Sequence, residues 1–155
     1  MHKLKFGSDV GLSEVFSKFL IEVYTNLHWD VDLVTSVPLG KMRAKDRGFN
    51  QSALIAFPLA LYIGIPFSPR ALSRIRETRS QVNLTVLERH ENVKLAFRSR
   101  EDIVKYKKIL IVDDISTTGA TITACANALL EVGAQEIYGL TIAKTKYNNK
   151  QQTAG

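Results

Sequence analysis

With a single cysteine, Cys125, in 155 residues, the chain can form no internal disulfide and cannot build a thiolate zinc site on its own. Cys125 falls inside an apolar helical pattern, where a buried, inert thiol is expected rather than a nucleophile. No apolar run reaches the ~20 residues needed to span a bilayer. The opening MHKLKFGSDVG has no signal-peptide core, so a reducing cytoplasm is the expected compartment. Three histidines, His2, His28 and His90, show no metal-ligand spacing, and surface positions are expected for them. Neither G-x-x-x-x-G-K-[ST] nor G-x-G-x-x-G occurs, which removes the P-loop and the dinucleotide fingerprint.

What is present belongs to an ordinary globular domain: 45% apolar and 23% charged residues, in a chain long enough to bury a substantial core. The formal charge of +6 favours polyanions or small phosphorylated ligands, although this magnitude also serves solubility alone. KMRAKDR (Lys41–Arg47) and RALSRIRETR (Arg70–Arg79) hold eight of the 21 Lys and Arg residues. Aromatic residues are not interleaved with them, so no stacking platform for single strands is written there.

Leu12, Val15, Phe16, Phe19, Leu20, Val23, Tyr24 and Leu27 recur at helical spacing, which predicts a helix over about 8–28. DLVTSVP reads as a short buried strand. Asn50 is placed to cap a helix QSALIAFPLALYI that Gly64 stops, with Pro58 expected to kink or split it. From Pro66 to Phe97 regular pattern is scarce, apart from TVLERHENV, where Thr85 and Glu88 have capping-box spacing for a short helix. KKILIVDD is the continuous apolar run of a strand covered on both faces. TTGATITACANALLEVGA follows as a helix with Gly133 at its stop, then EIYGLTIAK as a strand, together a βαβ unit. One α/β domain over 1–145 is expected, with residues 146–155 a disordered tail.

The chemistry concentrates in KILIVDDISTTGATI. Ligands of open α/β sheets bind beyond the carboxyl ends of the strands, and Asp113 and Asp114 are expected to stand at that end. Ser116, Thr117, Thr118, Gly119, Ala120 and Thr121 form a small-residue turn into a helix, able to aim N–H groups and hydroxyls at one phosphate. The acids would repel that phosphate if they touched it. They fit the vicinal hydroxyls of the same ligand and can support Mg²⁺ directly or through water. A ribose 5-phosphate satisfies both demands.

ILIVDDISTTGAT resembles the phosphoribosyl-pyrophosphate (PRPP) signature of type I phosphoribosyltransferases. SVPLGKMRAKDRGFNQSALIA and SRIRETRSQVNLTVLERHENVKLAF are similar to the ComF/GntX family, linked with competence and DNA uptake; the likeness runs from about Lys5 to Thr145. It implies the type I phosphoribosyltransferase fold, a mostly parallel sheet flanked by helices, with a small hood formed mainly by the N-terminal helix and residues 66–97. It further implies Asp113 and Asp114 on the ribose and Mg²⁺, and Ser116–Thr121 around the 5-phosphate. A pyrophosphate loop is implied at Val37, Pro38, Leu39, Gly40 and Lys41, with Arg47 as a further phosphate contact. RGFNQ is a family hallmark whose physical role the sequence leaves open, beyond Gly48–Phe49–Asn50 shaping a helix start. A mobile catalytic loop is implied in RIRETRSQ, with Arg74, Arg76 and Arg79 closing over departing pyrophosphate; a solvated basic loop fits the same residues equally well.

The implied ligands are PRPP or a nucleoside 5′-monophosphate with Mg²⁺, and the implied reaction is phosphoribosyl transfer to a nitrogen acceptor in a DNA-uptake or nucleotide-salvage setting. A homodimer is implied by analogy, and DNA-uptake proteins or single-stranded DNA are the macromolecular partners the association suggests. A non-catalytic adaptor or nucleotide sensor that keeps the pocket is the competing expectation. Members of the family usually carry a four-cysteine zinc-finger-like segment before this core; the sequence opens, at MHKLKFG, where the core would begin, so functions that need the finger are not implied here.

Overall fold

The structure, a computed structural model, describes residues 3–40, 48–76, 96–116 and 118–144. The expected helix over 85–93 and the tail lie outside the described residues.

Helix α1 spans Lys3–Leu27, several residues earlier than the apolar spacing indicates. Its inward seam is narrower than that spacing. Leu20 is fully buried, with Phe16, Val23 and Tyr24 packed beside it, whereas Val15 and Phe19 face solvent. Strand β1 (Leu33–Ser36) is buried throughout. Helix α2 (Gln51–Ile63) begins at Asn50, whose side chain accepts from the Ser52 N–H, and ends at Gly64 in the left-handed region, φ 70°. The helix is continuous through Pro58; one missing N–H costs a single helical hydrogen bond, and the buried side chains on either side hold the rest.

Two short strands went unrecognised in the polar region, β2 (Leu72–Arg74) and β3 (Phe97–Ser99), which pair antiparallel. With three residues each they are too brief for an alternation to show. A single turn of helix, α3 (Glu101–Val104), leads to strand β4 (Lys108–Ser116). Helix α4 (Ala120–Glu131) and strand β5 (Glu136–Lys144) complete the predicted βαβ unit. Behind α4, Gly133 at φ 91° and the Ala134 N–H to Leu129 carbonyl bond close the helix.

β1, β4 and β5 form a parallel sheet in the order β1-β4-β5. The apolar run of β4 serves both faces. Leu110 and Val112 pack with Val34, Leu140, Leu20, Ile55 and Leu59 under α1 and α2. Ile109 and Ile111 pack with Cys125, Leu129, Leu72 and Phe97 under α4 and the β2–β3 pair. Cys125 is completely buried, as expected. Helix α1, expected to contribute to a hood, packs against α2 and β5 instead: a side chain as apolar as Leu20 is stabilised more by the sheet than by a polar crevice.

The connections out of β1 and β4 run in opposite directions. Beyond α2 the chain returns on the outer side of β1, where Val34 donates to the Pro66 carbonyl and accepts from the Ser68 N–H, both at 2.9 Å. β4 lies on the other side of β1, and its crossover through α4 leads further away to β5. The gap between the carboxyl ends of β1 and β4 is therefore the topological switch point, where sheets of this kind bind ligands.

Candidate functional site

The β1–β4 ladder ends at Ser36 and Val112, with one further bond from the Val37 N–H to the Val112 carbonyl at 3.0 Å. β4 keeps pairing with β5 as far as Ser116 and Lys144. Asp113 and Asp114 thus stand in the carboxyl-terminal part of β4, as the sequence indicates. On the β1 side β4 has no strand partner past Val112, because β1 has already turned away. Val37, Pro38, Leu39 and Gly40 form that turn, with Val37 and Gly40 buried. The sequence expectation joins these two segments, and the fold brings them to one crevice. Lys41, Arg47 and Thr117 lie outside the described residues.

Asp113 is 6% exposed and accepts from the Ser52 hydroxyl at 3.1 Å and from the Asp114 N–H at 3.0 Å. Burial, and then the neighbouring Asp114 carboxylate, push its carboxyl up to about 7, against the opposing pull of the Ser52 hydroxyl. Near neutral pH Asp113 therefore stands between its protonated and ionised forms. Asp114 is less buried, and its carboxylate accepts from the Ile115 N–H at 2.9 Å. Two oxygen-rich groups side by side, one of them poised between protonated and ionised, can accept from two vicinal hydroxyls or share a divalent cation. Among the described residues no cluster of three or more Asp, Glu, His or Cys could hold a metal. Two carboxylates fit a Mg²⁺ that arrives with a phosphorylated ligand, since this ion keeps waters and substrate oxygens in its shell.

After Ser116 the chain turns into α4. Thr118 accepts from the Ala120 N–H through its hydroxyl oxygen at 3.3 Å, and Gly119 sits at φ 79° as the residue before the helix, its carbonyl accepting from the Thr123 N–H at 2.9 Å. No heavy atom lies within 4 Å of where a Gly119 Cβ would be, so glycine is required there by its backbone angles and not by crowding. The first turn of α4, from Ala120 through Thr121, presents the positive end of a 12-residue helix beside the acids.

Arg74, placed by sequence in a mobile loop, is instead the last residue of β2. Its guanidinium lies 5.6 Å from the Phe97 ring centroid, and its Nε donates to the Arg76 carbonyl at 3.4 Å. A stacked, strand-borne arginine is a fixed charge, not a swinging one. Arg76 is exposed. Arg79 lies outside the described residues.

Ser52 and the tethering role of Asn50 were not legible in advance. Besides capping α2, Asn50 donates through Nδ2 to the Val37 carbonyl at 3.0 Å. The capping signal pointed to Asn50 only as a helix start; nothing in the sequence says that the next turn reaches Asp113, 61 residues later.

The match to known proteins agrees with this geometry. Residues 50–153 match the family model "Phosphoribosyl transferase domain". DNA utilization protein YhgH of Escherichia coli K12 is 35% identical over 151 residues, covering 94% of this chain and 66% of that protein. Competence protein ComFC of Streptococcus pneumoniae is 32% identical over 142 residues, covering 92% of this chain and 60% of its own length. The chain thus spans about two thirds of the curated relatives it matches. Among solved structures, adenine phosphoribosyltransferase from Thermoanaerobacter pseudethanolicus superposes with a TM-score of 0.52 at 19% identity, covering 82% of this chain and 67% of that one. The glutamine PRPP amidotransferase of Bacillus subtilis gives 0.54 at 20%, covering 86% and 26%. The class is that of type I phosphoribosyltransferase folds. Within it, the chain belongs to the phosphoribosyl transferase domain family as a ComF-type member, alongside competence protein F, ComFC and YhgH.

Proposed function

We propose that this chain binds Mg·PRPP, or the corresponding nucleoside 5′-monophosphate, in the crevice between β1 and β4 and transfers the phosphoribosyl group to a nitrogen acceptor. The observation that carries the reading is the carboxylate pair at the switch point, Asp113 buried and Asp114 half-buried, next to a glycine turn that opens a helix and opposite the β1 turn. Asp113 and Asp114 accept from the ribose 2′ and 3′ hydroxyls. The Ser116–Thr121 turn takes the 5′-phosphate, each hydrogen bond to the anion contributing about 1.5–3 kcal/mol. The Val37–Lys41 turn faces the pyrophosphate, with Arg47 as a further phosphate contact by family likeness.

Asp113 and Asp114 would hold Mg²⁺, directly or through water, and the ion would supply charge neutralisation to the phosphorylated ligand. As the C1′–O bond breaks and the C1′–N bond forms, pyrophosphate leaves with its negative charge. Arg76 and Arg79 are assigned to stabilise that charge; Arg74, held on β2, is assigned a fixed share of the local field. The relatives named for competence and DNA utilization support a DNA-uptake setting; nucleotide salvage is the other setting the family likeness implies. Homodimerisation follows by analogy with the fold and is read by light scattering.

A second reading is favoured by those same names and by the +6 charge: a non-catalytic adaptor or nucleotide sensor that retains the pocket and meets DNA-uptake proteins or single-stranded DNA. One assay separates the two. The protein is incubated with Mg·PRPP and a panel of purines, pyrimidines and amines, and pyrophosphate release is measured. Release that depends on one acceptor supports transfer. No release, with binding to single-stranded DNA that weakens as salt rises, supports the adaptor.

A further inference from the structure

Arg47 apart, the family hallmark RGFNQ is left without a task by the ligand-binding scheme. In the fold its Asn50 and, two positions on, Ser52 meet both walls of the crevice. Asn50 Oδ1 accepts from the Ser52 N–H at 3.2 Å, while Asn50 Nδ2 donates to the Val37 carbonyl at 3.0 Å and reaches the Ser36 hydroxyl at 3.5 Å. Ser52 Oγ donates to Asp113 Oδ1 at 3.1 Å. Ser36, Val37, Ser52 and Asp113 are all under a tenth exposed. One helix start is thus tied by Asn50 to the β1 turn and by Ser52 to the acid pair. The β1–β4 ladder ends at Ser36 and Val112, with one last bond from the Val37 N–H to the Val112 carbonyl, so past Val37 the sheet itself no longer sets the width of the gap.

We propose that Asn50 and Ser52 are positioning residues of the phosphoribosyl site: a brace at the start of α2 that holds the Val37–Gly40 turn and the Asp113 carboxylate at the spacing one ligand requires. The inference rests on the phosphoribosyl reading given above. Neither side chain touches the ligand; each acts through the group it holds. The two ends of the ligand bind opposite walls, so loosening either tie lowers affinity without removing a ligand contact.

The test separates the brace from helix capping. Serine is as good an N-cap as asparagine, yet its side chain is too short to reach the Val37 carbonyl. Asn50→Ser therefore keeps the cap and cuts the tie. Ser52→Ala cuts the other tie, and Ser52→Thr keeps the hydroxyl. Mg·PRPP affinity is measured by calorimetry and apo stability by thermal denaturation on the same preparations. Asn50→Ser and Ser52→Ala are expected to weaken binding by about tenfold each, with Ser52→Thr within about threefold of the unaltered protein. Unchanged affinity in Asn50→Ser and Ser52→Ala, with the unaltered protein binding, overturns the brace alone. So does a loss in Ser52→Thr as large as in Ser52→Ala, because then bulk and not the hydroxyl decides. If the unaltered protein does not bind Mg·PRPP, the phosphoribosyl reading fails, and the brace falls with it.

Discussion

β4 begins with a compensated charge and ends with an uncompensated pair. At its start, Lys108 Nζ lies 2.6 Å from the Asp30 carboxylate, and the Lys108 N–H donates to Asp32 Oδ2 at 2.8 Å. Nearby, Trp29 stacks on Tyr138 at 4.8 Å, and the Tyr24 hydroxyl donates to the Trp29 carbonyl. At the other end Asp113 is buried and Asp114 half-buried beside it, and among the described residues neither takes part in an ion pair. The same strand thus pairs its charge at one end and leaves two carboxylates without an opposite charge at the other. Like charges held together out of water are a cost that a structure retains where something else offsets it.

The comparison breaks most visibly at Asp113. Its carboxyl is raised to about 7 in the fold, so the folded chain holds a proton that the unfolded chain releases near pH 4. The resulting stability is fully present below pH 4 and is lost as pH rises through about 7. Asp113→Asn removes this dependence. Relative to the unaltered protein, the variant should gain stability between pH 4 and pH 8, by at most about 4 kcal/mol. Thermal denaturation at pH 5 and pH 8 measures it; a gap between the two proteins that does not widen with pH refutes the assignment.

Asp114→Asn tests the ligand side of the same pair. With folding intact, calorimetric affinity for Mg·PRPP should fall tenfold or more, about 1.4 kcal/mol. An unchanged affinity would remove the acids from the site.

Gly119→Ala sharpens the contrast at the turn that follows. At φ 79° a Cβ costs about 1–2 kcal/mol even though nothing crowds it. In a chain of this size that lowers Tm by roughly 2–8 °C. The same change at an exposed helical position such as Thr123 should leave Tm unchanged or raise it slightly, alanine being the better helix former.

The smallest effect is expected at the compensated end. The Asp30 side chain is 78% exposed, and exposed ion pairs are weak and screened. Asp30→Asn should shift Tm less than Gly119→Ala, and the difference from the unaltered protein should vanish in 1 M salt. A shift larger than that of Gly119→Ala would mean that the two ends of β4 are not so differently built.

Much of this architecture is legible residue by residue. The apolar run ending in Asp113–Asp114 announces a strand buried on both faces, and Asn50 and Gly64 mark the ends of α2. The small-residue turn announces an anion site, and its match to a family signature narrows the class. Other features escape the chain read in one dimension. Arg74 reads as part of a basic loop because β2 is three residues long and its partner β3 lies more than twenty residues away. Val15 and Phe19 read as core because a helical repeat does not say how wide the buried seam is. Leu20 reads as part of a hood, although the fold seats it in the main core.

The sequence by itself determined most local conformations, because caps, glycine turns and apolar periodicity act over a few residues. Only the tertiary structure decided which segments meet. Long-range pairing sets β1 beside β4, turns β1 away at Val37 while β4 runs on, and so opens the crevice. Packing of α2 over that gap brings Ser52 to Asp113 and Asn50 to the Val37 carbonyl. Those contacts join residues 61 and 13 positions apart, and no short-range preference encodes them.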